Sequence, residues 1–345
     1  MTYLRNCWYA AAWPGEVNET PLARRLLGEH IVLYRTSDGV PRALQDRCPH
    51  RFAPLSMGML IGDQLQCPYH GLRFGIDGAC VHNPHYNALP AAAKVTTYSL
   101  IERHGMIWIW MGDEEADPAR LPDDFGFMES PDFKAVTGYL KVDANYMLVV
   151  DNLLDLTHAP YLHPAFAIPG LSTEERLKRT TTELVRMPER VIARRWRLNC
   201  PPNGPTRTLF GFNDEFMDSR SHMHWLPPSL IYFDAGAARL NEPEEQGLCL
   251  PAMHAITPET DRTCHYFFAQ ARNMLLDDAN ADETLFGILE NAFRNEDEPM
   301  IEAQQERMGT ETDILALDPV LLKSDGAPVA ARRALAKLIA AEQGD

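Results

Sequence analysis

Residues 48 to 71 read CPHRFAPLSMGMLIGDQLQCPYHG, and they hold the first constellation able to do chemistry. Cys48-x-His50, sixteen residues and then Cys67-x-x-His70 put two thiols and two imidazoles on two short arms. Two thiolates on one iron and two imidazoles on the other make a [2Fe-2S] cluster. With less negative charge than an all-Cys cluster, it accepts an electron at higher potential. The same four residues can also close a tetrahedral structural zinc site, although such sites usually pair Cys with Cys in one arm. Here each arm mixes the two. Pro49 and Pro68 directly follow the cysteines and Gly71 follows His70, which suits tight turns whose backbone must approach a cluster closely. One-electron transfer is the chemistry this stretch points to.

A second constellation, Asp155-x2-His158-x4-His163, follows a helix-like run. Asp155 and His158 are three apart and share a helical face. Pro160 forbids an undisturbed helix from there on, so the chain must kink before His163. Two convergent histidines suit a metal or make a structural pair. An oxygen-activating iron held by two histidines needs one carboxylate more and open positions. From residue 282 an apolar stripe runs Phe286, Leu289, Phe293, Asp297, Met300, which puts Asp297 on the buried face. A buried carboxylate without a partner is costly, and either a metal or a basic core residue offsets that cost. Glu296 and Glu298 fall off the stripe and are expected at the surface. Asn152, three residues before Asp155, either faces the same site or is a helix-surface amide.

These groups need elements to hold them. Residues 1–115 read as an all-β domain of short runs at 30–35, 42–45, 64–66, 72–76, 80–82, 95–101 and 106–111, with turn signals between them and one hairpin across 100–108. Residues 116–135, acidic and rich in proline, read as a linker. Residues 136–345 read as an α+β domain. Helices are expected near 146–156, 282–308 and 329–341, and strands near 136–142, 190–198, 229–233, 252–256 and 265–269.

The 345 residues suffice for two cores, and the hydrophobic share of 45% is that of an ordinary globular protein. There is no apolar run long enough for a membrane and no leader-like N-terminus, so no membrane association and a cytoplasmic location are expected. Of the seven cysteines, the five outside the arms are scattered singly, which fits a reducing compartment. A formal net charge of −16 argues against nucleic acid as a partner. Near the arms the balance reverses, with Arg47, Arg51 and Arg73 against Asp63; these arginines either steer an acidic electron donor or are simply solvated. No dinucleotide or flavin fingerprint is present, so the reductase is expected to be a separate protein.

The two arms together with Asp155-x2-His158-x4-His163 and Asp297 in NEDEPMIEA resemble the α-subunits of Rieske non-haem iron oxygenases over nearly the whole chain. RNCWYAAAW, CPHRFAPLSMG, DNLLDLTHA, HAITPET and CHYFF resemble most closely the compact O-demethylases, the vanillate O-demethylase and dicamba monooxygenase group. The resemblance implies an N-terminal all-β Rieske domain and a C-terminal helix-grip-like α+β catalytic domain. It implies that Cys48, His50, Cys67 and His70 hold the cluster and that His158, His163 and Asp297 hold a mononuclear Fe(II). Asp155 becomes a bridging carboxylate between His158 and a cluster histidine of a neighbouring subunit, which implies a homotrimer.

The expected partners are O2, a small aromatic substrate and a separate NAD(P)H-linked reductase or ferredoxin. The expected reaction is O-demethylation of a small methoxylated aromatic acid with release of formaldehyde. Benzylic methyl hydroxylation and ring dihydroxylation are the near alternatives; a Rieske-type electron carrier and a zinc-stabilised binding module are alternatives of other classes. His254, in HAITPET, matches a pocket histidine of the dicamba-type enzymes and either binds a substrate carboxylate or is a core histidine. Ile288 stands where an aromatic residue would line the pocket, and segment 222–229, with Leu226 and Pro227, also departs from that pattern.

Overall fold

The computed structural model describes residues 3–89 and 91–344. Met1 and Thr2, on which the leader-free reading of the N-terminus partly rests, lie outside the described residues. The chain divides into two compact units, one of Arg5–Leu121 with Thr257–Thr260, the other of Pro122–Ile256 with the residues from Asp261 onward and Tyr3 and Leu4.

The first unit is built from β1 (Trp8–Ala12), β2 (Leu22–Leu26), β3 (Glu29–Arg35), β4 (Pro41–Gln45), β5 (Met59–Ile61), β6 (Gln64–Gln66), β7 (Arg73–Phe74), β8 (Cys80–His82), β9 (Thr97–Tyr98), β10 (Leu100–Arg103) and β11 (Met106–Trp110). They form three sheets in the orders β1-β11-β10, β2-β3-β4-β9 and β5-β6-β7-β8. The expected hairpin is β10–β11, with Arg103 opposite Met106. The run expected over 95–101 instead breaks at Ser99, so that β9 and β10 join different sheets. β1 is buried at every position and lacks the alternation that marks a half-buried strand. The first Cys/His arm lies between β4 and β5, and the second joins β6 to β7. Val32, Leu44, Leu55, Leu65 and Phe74 pack around Cys48 and Cys67. Each fully buried side chain of this size contributes roughly 1.5–3 kcal/mol, so the arms sit on a stiff base.

The second unit contains, in chain order, β12 (Lys134–Val142), α1 (Tyr146–Leu154), α2 (Ala159–Leu162), α3 (Thr173–Lys178), β13 (Thr180–Met187), β14 (Arg190–Cys200), α4 (Gly204–Thr208), β15 (Met217–Leu226), β16 (Leu230–Arg239), β17 (Leu248–Cys249), β18 (Ala252–Thr260), β19 (Thr263–Arg272), α5 (Ala279–Glu290), α6 (Glu298–Met308) and α7 (Gly326–Gln343). Its sheet runs β12-β19-β18-β16-β15-β14-β13, with β17 on β16. Leu148 and Leu153 of α1, Leu285 and Leu289 of α5 and Leu335 of α7 share one core with Trp225, Tyr266 and Phe268 of the sheet. Gly138 is required by that packing, since a Cβ there would lie 2.1 Å from Phe268 Cζ. The polar β13, TTTELVRM, gave no sequence signal because it is an edge strand and largely exposed.

Candidate electron-transfer and metal centres

The two arms are the same turn made twice. In the first, the Cys48 N–H donates to the Ala53 carbonyl (2.9 Å) and the Phe52 N–H to the Cys48 carbonyl (2.8 Å). In the second, Cys67 N–H donates to Leu72 (2.8 Å) and Gly71 N–H to Cys67 (3.1 Å). Both turns close through a left-handed residue, Phe52 at φ 61° and Gly71 at φ 73°. Glycine adopts that conformation freely; phenylalanine does so at a cost. Phe52 is covered by the Arg47 guanidinium, 3.9 Å above its ring. Cys48 and Cys67 are buried, while the His50 and His70 rings stand 4.5 Å apart toward the surface. Burial raises the Cys48 thiol to about 11, so it is the cluster iron that would keep the sulfur as thiolate. The arginines of the expected patch differ in kind. Arg47 and Arg51 are exposed, whereas Arg73 is half-buried and donates to Gln66 Oε1 at 3.0 Å.

In the second unit, Asn145 caps α1 by accepting from the Met147 N–H, and seven of the nine helical residues are buried. The helix ends at Asp155, before Pro160 is reached. Pro160 instead occupies the first turn of α2, where its missing N–H costs nothing, so the kink arises earlier than the sequence suggested. His158 precedes α2 and His163 follows it. Their Nε2 atoms come within 3.2 Å of each other, and each lies close to Asp297 Oδ1, at 3.5 and 3.4 Å.

Asp297 ends a π-helical segment, Asn291–Asp297, inserted between α5 and α6, in which the Glu298 N–H reaches back five residues to the Phe293 carbonyl. The wide turn adds one residue to the repeat. The buried stripe therefore continues through Ile301 and Gln305, and Met300, expected on that stripe, is 49% exposed. The same shift corrects the expectation for Glu296. It is not at the surface: its Oε2 accepts from His163 Nδ1 at 2.7 Å.

The surroundings orient the donors. His158 Nδ1 donates to the Asp155 carbonyl (2.6 Å), and Asn152 Nδ2 donates to Asp297 Oδ1 (2.9 Å). With both Nδ1 protons committed, two imidazole lone pairs and a carboxylate oxygen face one another. That arrangement is unfavourable without a cation between them and is what a metal requires. Burial works against a charge on either histidine. It prevails at His158 and lowers its pKa, whereas at His163 the Asp297 and Glu296 carboxylates outweigh it and raise the pKa. Among the described residues this trio is the one His/Cys/carboxylate group compact enough to hold a single metal ion. The Asp155 carboxylate accepts from the N–H and hydroxyl of Thr157, both at 2.9 Å, so its link to His158 runs through the backbone carbonyl and not the carboxylate.

The trio opens on a cavity of about 200 Å3. Leu153, Leu156, Phe210, Phe233, Leu285 and Ile288 supply apolar wall, and His254 lines it as well. Segment 222–229 contributes Met223. His254 is buried and shares a 2.8 Å hydrogen bond with the Tyr266 hydroxyl through Nδ1, leaving Nε2 without a partner. Burial drops its pKa to about 3, so it is neutral. Arg176, Arg195 and Arg197 also line the cavity. The sequence offered one cue to them, the alternation Arg195-x-Arg197, which puts both side chains on one face of β14.

A paired-turn Cys2His2 site in the first unit and a 2-His-1-carboxylate pocket in the second define an oxidoreductase with an electron-transfer centre and an oxygen-activating centre. The comparisons agree. Residues 7–98 match the Rieske [2Fe-2S] domain, and residues 142–341 match the vanillate O-demethylase oxygenase C-terminal domain. The chain is 41% identical to the oxygenase component of dicamba O-demethylase from Stenotrophomonas maltophilia, with 98% of each covered. It is 37% identical to the oxygenase component of chloroacetanilide N-alkylformylase from Rhizorhabdus wittichii, with 99% of this chain and 97% of that one covered. Dicamba monooxygenase bound to 3,6-dichlorosalicylic acid superimposes with a TM-score of 0.92 at 38% identity, each chain being covered completely. The chain belongs to the Rieske non-haem iron oxygenases, in the vanillate O-demethylase oxygenase family. It is the oxygenase component of a monooxygenase, and its cofactors are a Rieske [2Fe-2S] cluster and a non-haem iron. The zinc-module and bare electron-carrier readings are set aside. No helix among the described residues is long and apolar enough to cross a membrane.

Proposed function

We propose that the protein O-demethylates a small methoxylated aromatic acid, releasing formaldehyde and a phenol. The observation that carries this reading is the convergence of His158, His163 and Asp297 on a cavity walled by apolar side chains and sized for one arene. In this reading Cys48, His50, Cys67 and His70 hold the cluster, and His158, His163 and Asp297 hold the iron. When bound, the two groups supply electrons and the activation of O2. Glu296 and the Asp155 carbonyl keep the two Nε2 lone pairs aimed inward, and Asn152 fixes Asp297. Leu153, Leu156, Phe233 and Ile288 grip the ring and exclude water. His254, with Tyr266 on Nδ1, is left with Nε2 to meet a polar group of the substrate. The hydroxylated methyl carbon is a hemiacetal, which parts into formaldehyde and the phenol; O2, two electrons and two protons balance the step with one water.

The electrons come from a separate reductase or ferredoxin, drawn by the exposed Arg47 and Arg51. Asp155 bridges toward a cluster histidine of a neighbouring subunit in a homotrimer; the surface position of His50 and the 73% exposed Tyr161 beside the iron site support such pairing. The protein works in the cytoplasm, a reading supported by the five cysteines outside the arms, none of which is in a disulfide. As functional regions, 1–115 carries the cluster arms, 136–345 carries the iron site and 116–135 links the two, although the compact units divide at Leu121/Pro122 and the first also takes in Thr257–Thr260. Single turnover of the reduced, iron-replete protein with a panel of methoxy- and methyl-substituted aromatic acids tests the reading. Formaldehyde equal to phenol is expected, whereas a benzylic alcohol or a diol without formaldehyde assigns the enzyme to one of its alternatives.

A further inference from the structure

The second unit neutralises its inner arginines. Arg272, fully buried, meets Asp282 at 2.6 Å; Arg332 meets Asp151 at 2.7 Å; Arg190 meets Asp124 at 2.7 Å. Arg220, which lines the iron-site cavity, is held by Asp234 at 2.7 Å. Three other arginines on the same cavity break the rule. Arg176 and Arg195 are only 7% and 8% exposed, and no ion pair to either, or to Arg197, is present among the described residues. Arg176 donates to the Phe166 carbonyl at 3.0 Å, and Arg195 Nη1 is buried with no hydrogen-bond partner. The one carboxylate on the cavity wall, among the described residues, is Asp297, which faces the two histidines.

Burial, followed by the neighbouring guanidinium of Arg197, lowers Arg176 and Arg195 to about 10; the Asp155 carboxylate, engaged with Thr157, attracts Arg195 across space without pairing with it, and both arginines stay charged at neutral pH. Like charges collected on buried side chains are unfavourable unless an anion completes them. They share one cavity with the metal site: Arg176 donates to the backbone carbonyl of Phe166, whose ring lies 6.0 Å from the His163 ring, and all three guanidiniums line the same wall as His158, His163 and Asp297. An arene whose substituent reaches the metal therefore presents its far side to the guanidiniums. A single carboxylate would offset one of three charges and leave two uncompensated.

We propose that Arg176, Arg195 and Arg197 seat the acid function of the substrate, and that this substrate is an aromatic dianion carrying two acid groups. The inference rests on the O-demethylase reading only for its position relative to the metal; the anion seat stands or falls on binding.

Equilibrium dialysis of the cluster- and iron-loaded protein against 4-methoxyphthalate, 3-methoxybenzoate and 3-methoxybenzamide tests it. The dianion should bind about tenfold tighter than the monoanion and about a hundredfold tighter than the neutral amide, as charge-assisted hydrogen bonds imply. Arg195→Gln should shrink the dianion preference about tenfold, and Arg195→Lys should restore part of it. Cluster absorbance and iron content report whether each variant is folded. If Arg195→Gln does not fold, the half-buried Arg197→Gln takes its place. Equal affinity for dianion and monoanion, or a preference untouched in folded Arg195→Gln and Arg197→Gln, overturns the proposal. Arginine-dependent binding of the dianion without formaldehyde would sink the O-demethylase reading and leave the anion seat standing. Formaldehyde from the methoxyarenes together with equal affinity for dianion, monoanion and amide would do the reverse.

Discussion

Glu296 holds the outer nitrogen of His163, and the next residue, Asp297, faces its inner one. Consecutive carboxylates thus meet one imidazole from two sides, the first on Nδ1, where it orients the ring, and the second toward Nε2, where the proposed function makes it a metal donor. Asp297→Ala should leave a protein with the cluster spectrum intact and two irons per chain where the parent has three, and with no turnover; full iron content by metal analysis would contradict the ligand assignment. Glu296→Ala should keep the ligands but lower iron affinity about 10- to 100-fold, read by dialysis against a chelator. At this scale the sequence was informative wherever candidate ligands lie close along the chain. The spacing of Cys48, His50, Cys67 and His70, and of His158 and His163, marked them as candidates and left a zinc site and a structural histidine pair open, and the family resemblance gave them their roles. Glu296 and the three cavity arginines were not, because their meaning depends on which strands and helices pack together.

The π-helical segment decides where those side chains point. One extra residue between α5 and α6 brings Asp297 and Glu296 to bear on the same histidine and sends Met300 to solvent. Deleting Asn295 should restore an ordinary helix and rotate the downstream chain by about 100°. Iron loss with the far-ultraviolet circular dichroism and cluster spectrum retained is the expected result; retained iron would show that the wide turn is dispensable. The stripe read from the sequence assumed a regular helix, so it found the burial of Asp297 and missed the phase of α6. Gly138 makes a second prediction at this scale. Gly138→Ala drives a Cβ into the Phe268 ring and should cost about 1–3 kcal/mol, seen as a lower melting temperature; an unchanged midpoint would mean that β12 and β19 can shift apart.

At the scale of the molecule, a −16 chain keeps Arg47 and Arg51 exposed beside its electron-transfer centre. Arg47→Glu together with Arg51→Glu should slow reduction by an acidic donor and flatten its dependence on salt, measured by stopped flow; an unchanged salt dependence would remove steering from the account. The α+β character of the second unit was legible from periodicity. The edge strand β13 was not, since it carries too little apolar pattern to be seen without its partner β14.

The central claim is that oxygen is delivered to a methyl carbon and not to the ring, and single turnover under 18O2 with a methoxylated aromatic acid tests it most directly. The account predicts a phenol whose oxygen is unlabelled, because the bond from oxygen to ring never breaks, with one formaldehyde for each phenol. A labelled phenol, or a labelled diol without formaldehyde, would contradict it.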